Sequence, residues 1–303
     1  MSVAEIEAVQ VGRDRGGGGL WSDAWSRLRR DKAAIVGFVL VGTFVFIAIF
    51  APWIAPEDPR FQDLSRLGGS CCPGPTLDHW FGIDALGRDE FSRIVYGARY
   101  SLLIGVVSVA IGLSVGMLLG ATAGYLGGAV DSTIMRAMDV MLAIPGLLFA
   151  IGIVAALQPG LWQVMLAVGI VNIPIFARLL RGSVLAQKEN DFVLAARSVG
   201  VRKRGILFSH ILPNSVSPLI VQGTLAMATA IIDVAGLGFL GLGPQDPATP
   251  EWGTMLANVN DYLASAPFLA IIPGIAIILS VLGFNLIGDG LREALDPKLR
   301  SRG

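Results

Sequence analysis

The chain has 303 residues, 53% of them hydrophobic and only 15% charged, with a mean hydropathy of +0.66. Soluble domains carry about 25% charged residues, so a soluble enzyme and a disordered linker are poor fits, and two cysteines exclude a disulfide scaffold. The 23 basic and 23 acidic side chains cancel, which removes any general pull toward nucleic acid and leaves a multi-spanning membrane protein embedded in lipid.

A helix needs about 20 apolar residues to cross the hydrocarbon. Residues 1–32 are polar, with a flexible Gly16 to Gly19 stretch and no cleavable leader, and read as a tail. Residues 33–54 are uncharged and supply the first span. Residues 55–99 form a polar loop in which Gly68 to Pro75 is turn-like. Within it, Arg88 to Arg99 reads as an amphipathic helix with Phe91, Ile94 and Val95 on one face, lying at the membrane interface or seating a partner. Tyr100 to Val130 is the second span. Val140 to Ala177 is also uncharged, but Leu157-Gln158-Pro159-Gly160 cuts it into spans three and four joined by a tight hairpin. Ile211 to Ile232 and Tyr262 to Gly288 complete an expected set of six transmembrane helices, an all-α polytopic fold with a core at residues 100–290.

Basic residues set the orientation. Arg27, Arg29, Arg30 and Lys32 precede the first span and place the N-terminus in the cytoplasm. An even number of crossings returns the tail at 291–303 to the same side, which collects 18 of the 23 Lys and Arg, whereas the loop from Gly241 to Asp261 has none.

Gly112, Gly116, Gly120 and Gly124 fall four apart on span two, forming one smooth stripe on which a neighbouring backbone can pack closely. Its partner is open: this chain or another. Pro273-Gly274 and the glycines at 236, 238, 241 and 243 mark points where helices bend or end.

Several kinds of chemistry are missing. None of the four lysines follows a glycine, so there is no phosphate-binding loop. There is no paired-histidine zinc motif and no nucleophile elbow, and His79 and His210 fall on opposite sides of the membrane. Asp139 lies one turn from Arg136, predicting a local ion pair. Asp233 lies about 27 Å beyond Ser215 at 1.5 Å per residue, close to the outer surface. Asp289 sits at the inner end of span six, one turn before Arg292. None is a mid-membrane charge suited to a proton relay.

The loop at 182–213 is the most informative. Asn190 or Asp191 caps a helix start, Phe192 to Val199 makes two turns, and Gly200 closes it in left-handed geometry. Such a helix either lies on anionic headgroups or docks as a knob in a cytoplasmic groove, with Ala195 and Ala196 allowing close approach.

At these residues the chain resembles a family. Phe192-Val193-Leu194-Ala195-Ala196-Arg197, Gly200 and Ile211-Leu212-Pro213 are similar to the Glu-Ala-Ala loop of permeases of ATP-binding cassette importers, with Leu194 in place of the Glu. Phe81-Gly82-Ile83-Asp84-Ala85-Leu86-Gly87-Arg88-Asp89, running on to Ser92-Arg93, resembles the signature before span two of the C-type permease subunit of dipeptide, oligopeptide and nickel importers. Gly238 to Gly243 with Glu251-Trp252-Gly253, Asp233 where the family has Glu, and Asn285 to Arg292 around Asp289 resemble it too.

The resemblance implies a type I importer permease fold in a bacterial inner membrane. It implies a heterodimer with a second permease chain, two ATPase subunits or domains carrying ATP and Mg, and an extracytoplasmic solute-binding protein. No cofactor and no catalysis are expected in this chain. A self-sufficient secondary transporter and a membrane scaffold are the competing readings. Cys71-Cys72 with His79 offers three soft ligands, against which stand two incidental thiols or an adjacent disulfide.

Overall fold

A computed structural model describes residues 25–67 and 71–295. The polar tails before Trp25 and after Leu295, and residues 68–70 of the turn-like stretch, lie outside the described residues.

The long helices are α1 (Lys32–Ile54), α2 (Glu90–Leu126), α5 (Leu161–Lys188), α7 (Ser217–Phe239) and α9 (Phe268–Leu295). Between α2 and α5 run α3 (Gly128–Leu142) and α4 (Gly146–Leu157), bent by 91° at the intervening residues, where Pro145 takes the N-cap position of α4. Two short helices, α6 (Asp191–Ser198) and α8 (Trp252–Ala257), lie in the connections before α7 and before α9.

The glycine stripe finds its partner in this chain. A Cβ on Gly112 would stand 2.8 Å from the Asn172 Cβ, on Gly116 2.6 Å from the Phe176 Cβ, and on Gly124 3.0 Å from the Arg181 carbonyl; on Gly120 it would collide with the Ala177 carbonyl. Both numbers rise together, so α2 and α5 run parallel with their backbones in close contact. Two parallel neighbours joined in sequence require the chain to return across the membrane between them. At that register Leu161 lies about 35 Å back along α2 from Leu126, at 1.5 Å per residue, enough to cross the roughly 30 Å of hydrocarbon. The bent pair α3–α4 makes this climb, so it is the sixth crossing.

On the other side, Gly37 packs on Leu286 and Gly290 on Ala34, which sets α1 antiparallel to α9. The outer flank of α1 keeps Val39, Ile49 and Trp53 exposed, as a lipid-facing helix does. One end of the bundle, the basic end, carries the ends of α2 and α5 together with α6; the opposite, loop end carries residues 55–67 and 71–89 and α8.

Several expected boundaries shift. Span four does not stop at Ala177: α5 continues to Lys188 because Arg178 and Arg181 pair with Asp139 and Asp131 of α3. Asp139 therefore bonds Arg178, not Arg136. Span five begins at Ser217, and Lys203–Gly205, Ile206–Ile211 and Leu212–Ser215 are separate helical pieces before it, the middle one a π-helix. The segment from Arg88 is not a detached interfacial helix. From Glu90 it is the first turns of α2, with Val95 buried and Ile94 packed near Trp252.

Candidate functional site

Two constellations stand out, one at each end. At the basic end, α6 is closed by a double hydrogen bond: Gly200 N–H donates to the Arg197 carbonyl and Val201 N–H to the Ala196 carbonyl, both at 3.0 Å. This is a Schellman closure, and it needs the left-handed φ of +79° that Gly200 adopts. Asn190 occupies the N-cap position but its side chain donates to Gln187 Oε1 at 2.9 Å and does not cap the helix.

The helix sits half in and half out. Val193 and Ala196 are buried with Ile206 and Ile211 in the main core, while Phe192, Leu194, Ala195, Arg197 and Val199 are exposed. Of the two alanines expected to face a partner, only Ala195 does; Ala196 turns inward because it shares the face of Val193 one turn earlier. Ile211 is buried, Leu212 half-buried and Pro213 exposed.

This segment is tied to α2. Tyr125 Oη donates to the Lys203 carbonyl at 2.7 Å, and Lys188 Nζ donates to the carbonyls of Tyr125 (3.1 Å) and Gly124 (3.3 Å). Lys188 thus places a cation on the carbonyl end of α2, where the helix dipole favours one. Neither Tyr125 nor Lys188 stood out in sequence, since a single Tyr and Lys carry no pattern.

At the loop end, residues 82–90 fold into a tight turn. Gly82 and Gly87 have φ of +82° and +75°. A Cβ on Gly82 would stand 2.6 Å from the Phe268 ring, and one on Gly87 would strike the Asp63 backbone. Asp84 accepts from the Leu86 and Arg88 amides at 2.9 and 3.0 Å and pairs with Arg88 Nε at 2.6 Å. Arg88 also donates to the Pro247 carbonyl at 2.6 Å, and Arg93, 2% exposed at its side chain, lies 3.6 Å from Asp84. Asp89 caps α2 through the Ser92 amide at 2.7 Å and faces His79 Nδ1 at 3.0 Å. The signature residues Asp84, Gly87, Arg88 and Asp89 therefore brace the start of α2 against the connection before α9.

Sequence reasoning left Glu90 aside and quoted Glu251 only within a motif. Both are buried. Glu251 accepts from the Gly253 amide, the Thr254 amide and the Thr254 hydroxyl at 2.8, 2.8 and 2.9 Å, capping α8. Burial pushes its carboxyl above the usual carboxylate range, against the pull of these donors. Asp233 is half-buried on α7, and Asp289 is exposed on α9, away from either constellation. Cys71 is paired with Cys72, and His79 faces Asp89, so the three soft ligands do not converge.

The helical bundle matches chains of solved transporter structures. Two inward-facing forms of the MetNI methionine ABC transporter superpose with a TM-score of 0.56; the first covers 67% of this chain and 96% of that chain at 16% identity. The fold is shared with those transporter chains.

Family and relatives narrow this. The model described as binding-protein-dependent transport system inner membrane component matches residues 116–301, and that of the N-terminal TM domain of oligopeptide transport permease C matches residues 19–67. The dipeptide transport system permease protein DppC of Alkalihalophilus pseudofirmus is 49% identical over 282 residues, covering 93% of this chain and 91% of the relative. The di/tripeptide transport system permease protein DppC of Pseudomonas aeruginosa is 48% identical over 91% of this chain and 92% of its own, and the glutathione transport system permease protein GsiD of Escherichia coli is 48% identical over 92% and 91%. The chain belongs to the binding-protein-dependent transport system inner membrane component family. It is a multi-pass permease component of an ATP-binding cassette importer.

Proposed function

We propose that this chain pairs with a second permease chain to form the path by which di- or oligopeptides enter the cell, driven by two ATPase subunits. In this reading the basic end faces the cytoplasm, consistent with its Lys and Arg. An extracytoplasmic binding protein delivers solute to the loop end. ATP and Mg stay with the ATPases. The peptide substrate is supported by the names of the relatives.

The observation that carries the reading is the seat of α6. Its inner face is locked into the core by Val193 and Ala196, so it moves with the bundle, while Phe192, Leu194 and Val199 stand free to enter a groove. A rigid knob transmits a displacement where a flexible loop would absorb it. Phe192, Ala195 and Arg197 supply the docking surface. Gly200 closes the helix, Ala196 and Ile211 anchor it, and Leu212-Pro213 leads on toward α7.

The test is Gly200→Trp in the assembled transporter in proteoliposomes, measuring dialanine uptake and ATP hydrolysis together. No Cβ clash arises at Gly200, but its φ strains any other residue. Uptake is expected to fall at least tenfold while hydrolysis continues without responding to binding protein. Uptake and hydrolysis that stay linked at the wild-type ratio would refute the coupling assignment.

A further inference from the structure

One cavity at the loop end is not explained by bracing the fold. It lies between the 84–93 segment and the connection after α8, with a volume of about 350 Å³. Its floor holds Glu90, Arg88 and Arg93, and its rim holds Asn258, Asp261 and Tyr262. The two guanidiniums are already engaged: both lie against Asp84, Arg88 donates to the Pro247 carbonyl, and Arg93 donates to the Pro59 carbonyl at 3.2 Å.

Glu90 is different. It is 2% exposed and lines the cavity, yet among the described residues its carboxylate accepts no hydrogen bond and forms no ion pair. A carboxylate taken out of water without a donor is costly. The cavity's other ionisable groups are Asp84, Arg88, Arg93 and Asp261, and the two guanidiniums already lie against Asp84. The neighbouring Gly241 to Asp261 connection contains no Lys or Arg to serve as a partner for Glu90. What Glu90 lacks is a hydrogen-bond donor, and a donor that also carries positive charge makes the stronger bond to a carboxylate.

We propose that this cavity binds a primary ammonium group, with Glu90 as its counter-ion and Asp261 drawing it in. The ammonium can come from the amino terminus of a free peptide or from a lysine tip of a docking protein. The chemistry is the same for both. The proposal stands on the cavity and does not require the coupling role of α6.

The test is thermal unfolding of the assembled transporter in lipid nanodiscs without ATP, at about pH 7, where α-amino and ε-amino groups are both largely charged. Butylammonium is expected to raise the midpoint in a saturable way. Tetramethylammonium, which has the charge but no N–H, is expected to leave it unchanged. Glu90→Gln is expected to abolish the response. The rim variant Asp261→Asn, at an exposed position, is expected to weaken apparent affinity about fivefold by removing one nearby charge, so the proposal remains testable if Glu90→Gln fails to assemble.

Dialanine acting where N-acetyl-dialanine does not would assign the site to free peptides. A response to Nα-acetyl-lysine methylamide alone would assign it to a lysine side chain. No response to any amine, an undiminished response in both variants, or stabilisation by acetate instead would overturn the proposal. The readout involves no hydrolysis, so its failure is separate from any failure of the coupling reading.

Discussion

Arg181 of α5 holds Asp131 of α3 through two parallel hydrogen bonds, Nε to Oδ1 at 2.5 Å and Nη2 to Oδ2 at 2.7 Å. Fifty residues separate them in sequence. With the Arg178–Asp139 pair two turns further along α3, it clamps the polar face of α3 to the polar end of α5, so the bend at Pro145 has a fixed base. A two-pronged pair of this kind is stronger than a single surface contact. Asp131→Asn is expected to destabilise the assembled protein by about 1–2 kcal/mol, read as a lowered thermal midpoint. The swap Asp131→Arg with Arg181→Asp should recover at least half of the loss. A swap no better than either single variant would show that the pair is incidental.

The glycine stripe makes a sharper prediction. Gly120→Ala drives a methyl into the Ala177 carbonyl, whereas Gly152 on α4 has nothing within 4 Å of an added Cβ. Gly120→Ala should cost about 1–3 kcal/mol by overpacking. Gly152→Ala should be neutral or slightly stabilising, because alanine is the better helix former. Equal midpoints for the two variants would contradict the close approach of α2 and α5.

Glu251 gives a pH dependence. Burial raises its folded-state value above the ordinary 4.5, so the folded protein keeps this proton to higher pH than the unfolded chain does. Its contribution to stability is then greatest below about 4.5 and declines as pH rises through the elevated value. Subtracting the profile of Glu251→Gln from that of the wild type should isolate a component that falls with rising pH. A component that rises with pH would mean that the three donors outweigh burial.

The Tyr125–Lys203 bond should be visible in exchange kinetics. Tyr125→Phe removes the 2.7 Å bond to the Lys203 carbonyl while keeping the ring. Amides from Lys203 to Ile211 are then expected to exchange several-fold faster, with the global midpoint moving by about 1 kcal/mol equivalent or less. Unchanged exchange would show that apolar packing around Tyr125, Ile206 and Ile211, and not this hydrogen bond, holds the segment.

Much of the fold was legible locally. An apolar run long enough to cross lipid must satisfy its own backbone, and uncharged runs of about 20 residues or more do so as helices. Residues 33–54 and 100–130 therefore read as spans, the second ending at Leu126 in the structure. The four-residue glycine spacing and the Gly200 stop signal also act within one or two turns, whereas the expected Asn190 cap does not form because its side chain bonds Gln187. The break at Gln158-Pro159-Gly160 does separate α4 from α5, whereas the bend at Pro145 rests on a single proline in an uncharged run and lacks such a cluster to mark it.

The amino-acid order by itself thus determined which segments are helices, where the smooth face of α2 lies and where the short helix at 191–198 ends, because those depend on neighbours a few residues away. Only the tertiary structure decided that α2 and α5 lie parallel, that Asp139 belongs to Arg178, that Ala196 faces inward, and that Glu90 is buried beside two occupied arginines. Each of these joins or orients groups through packing against segments distant in the chain, where the energy of contact is set by position in space and leaves no periodic trace along the sequence.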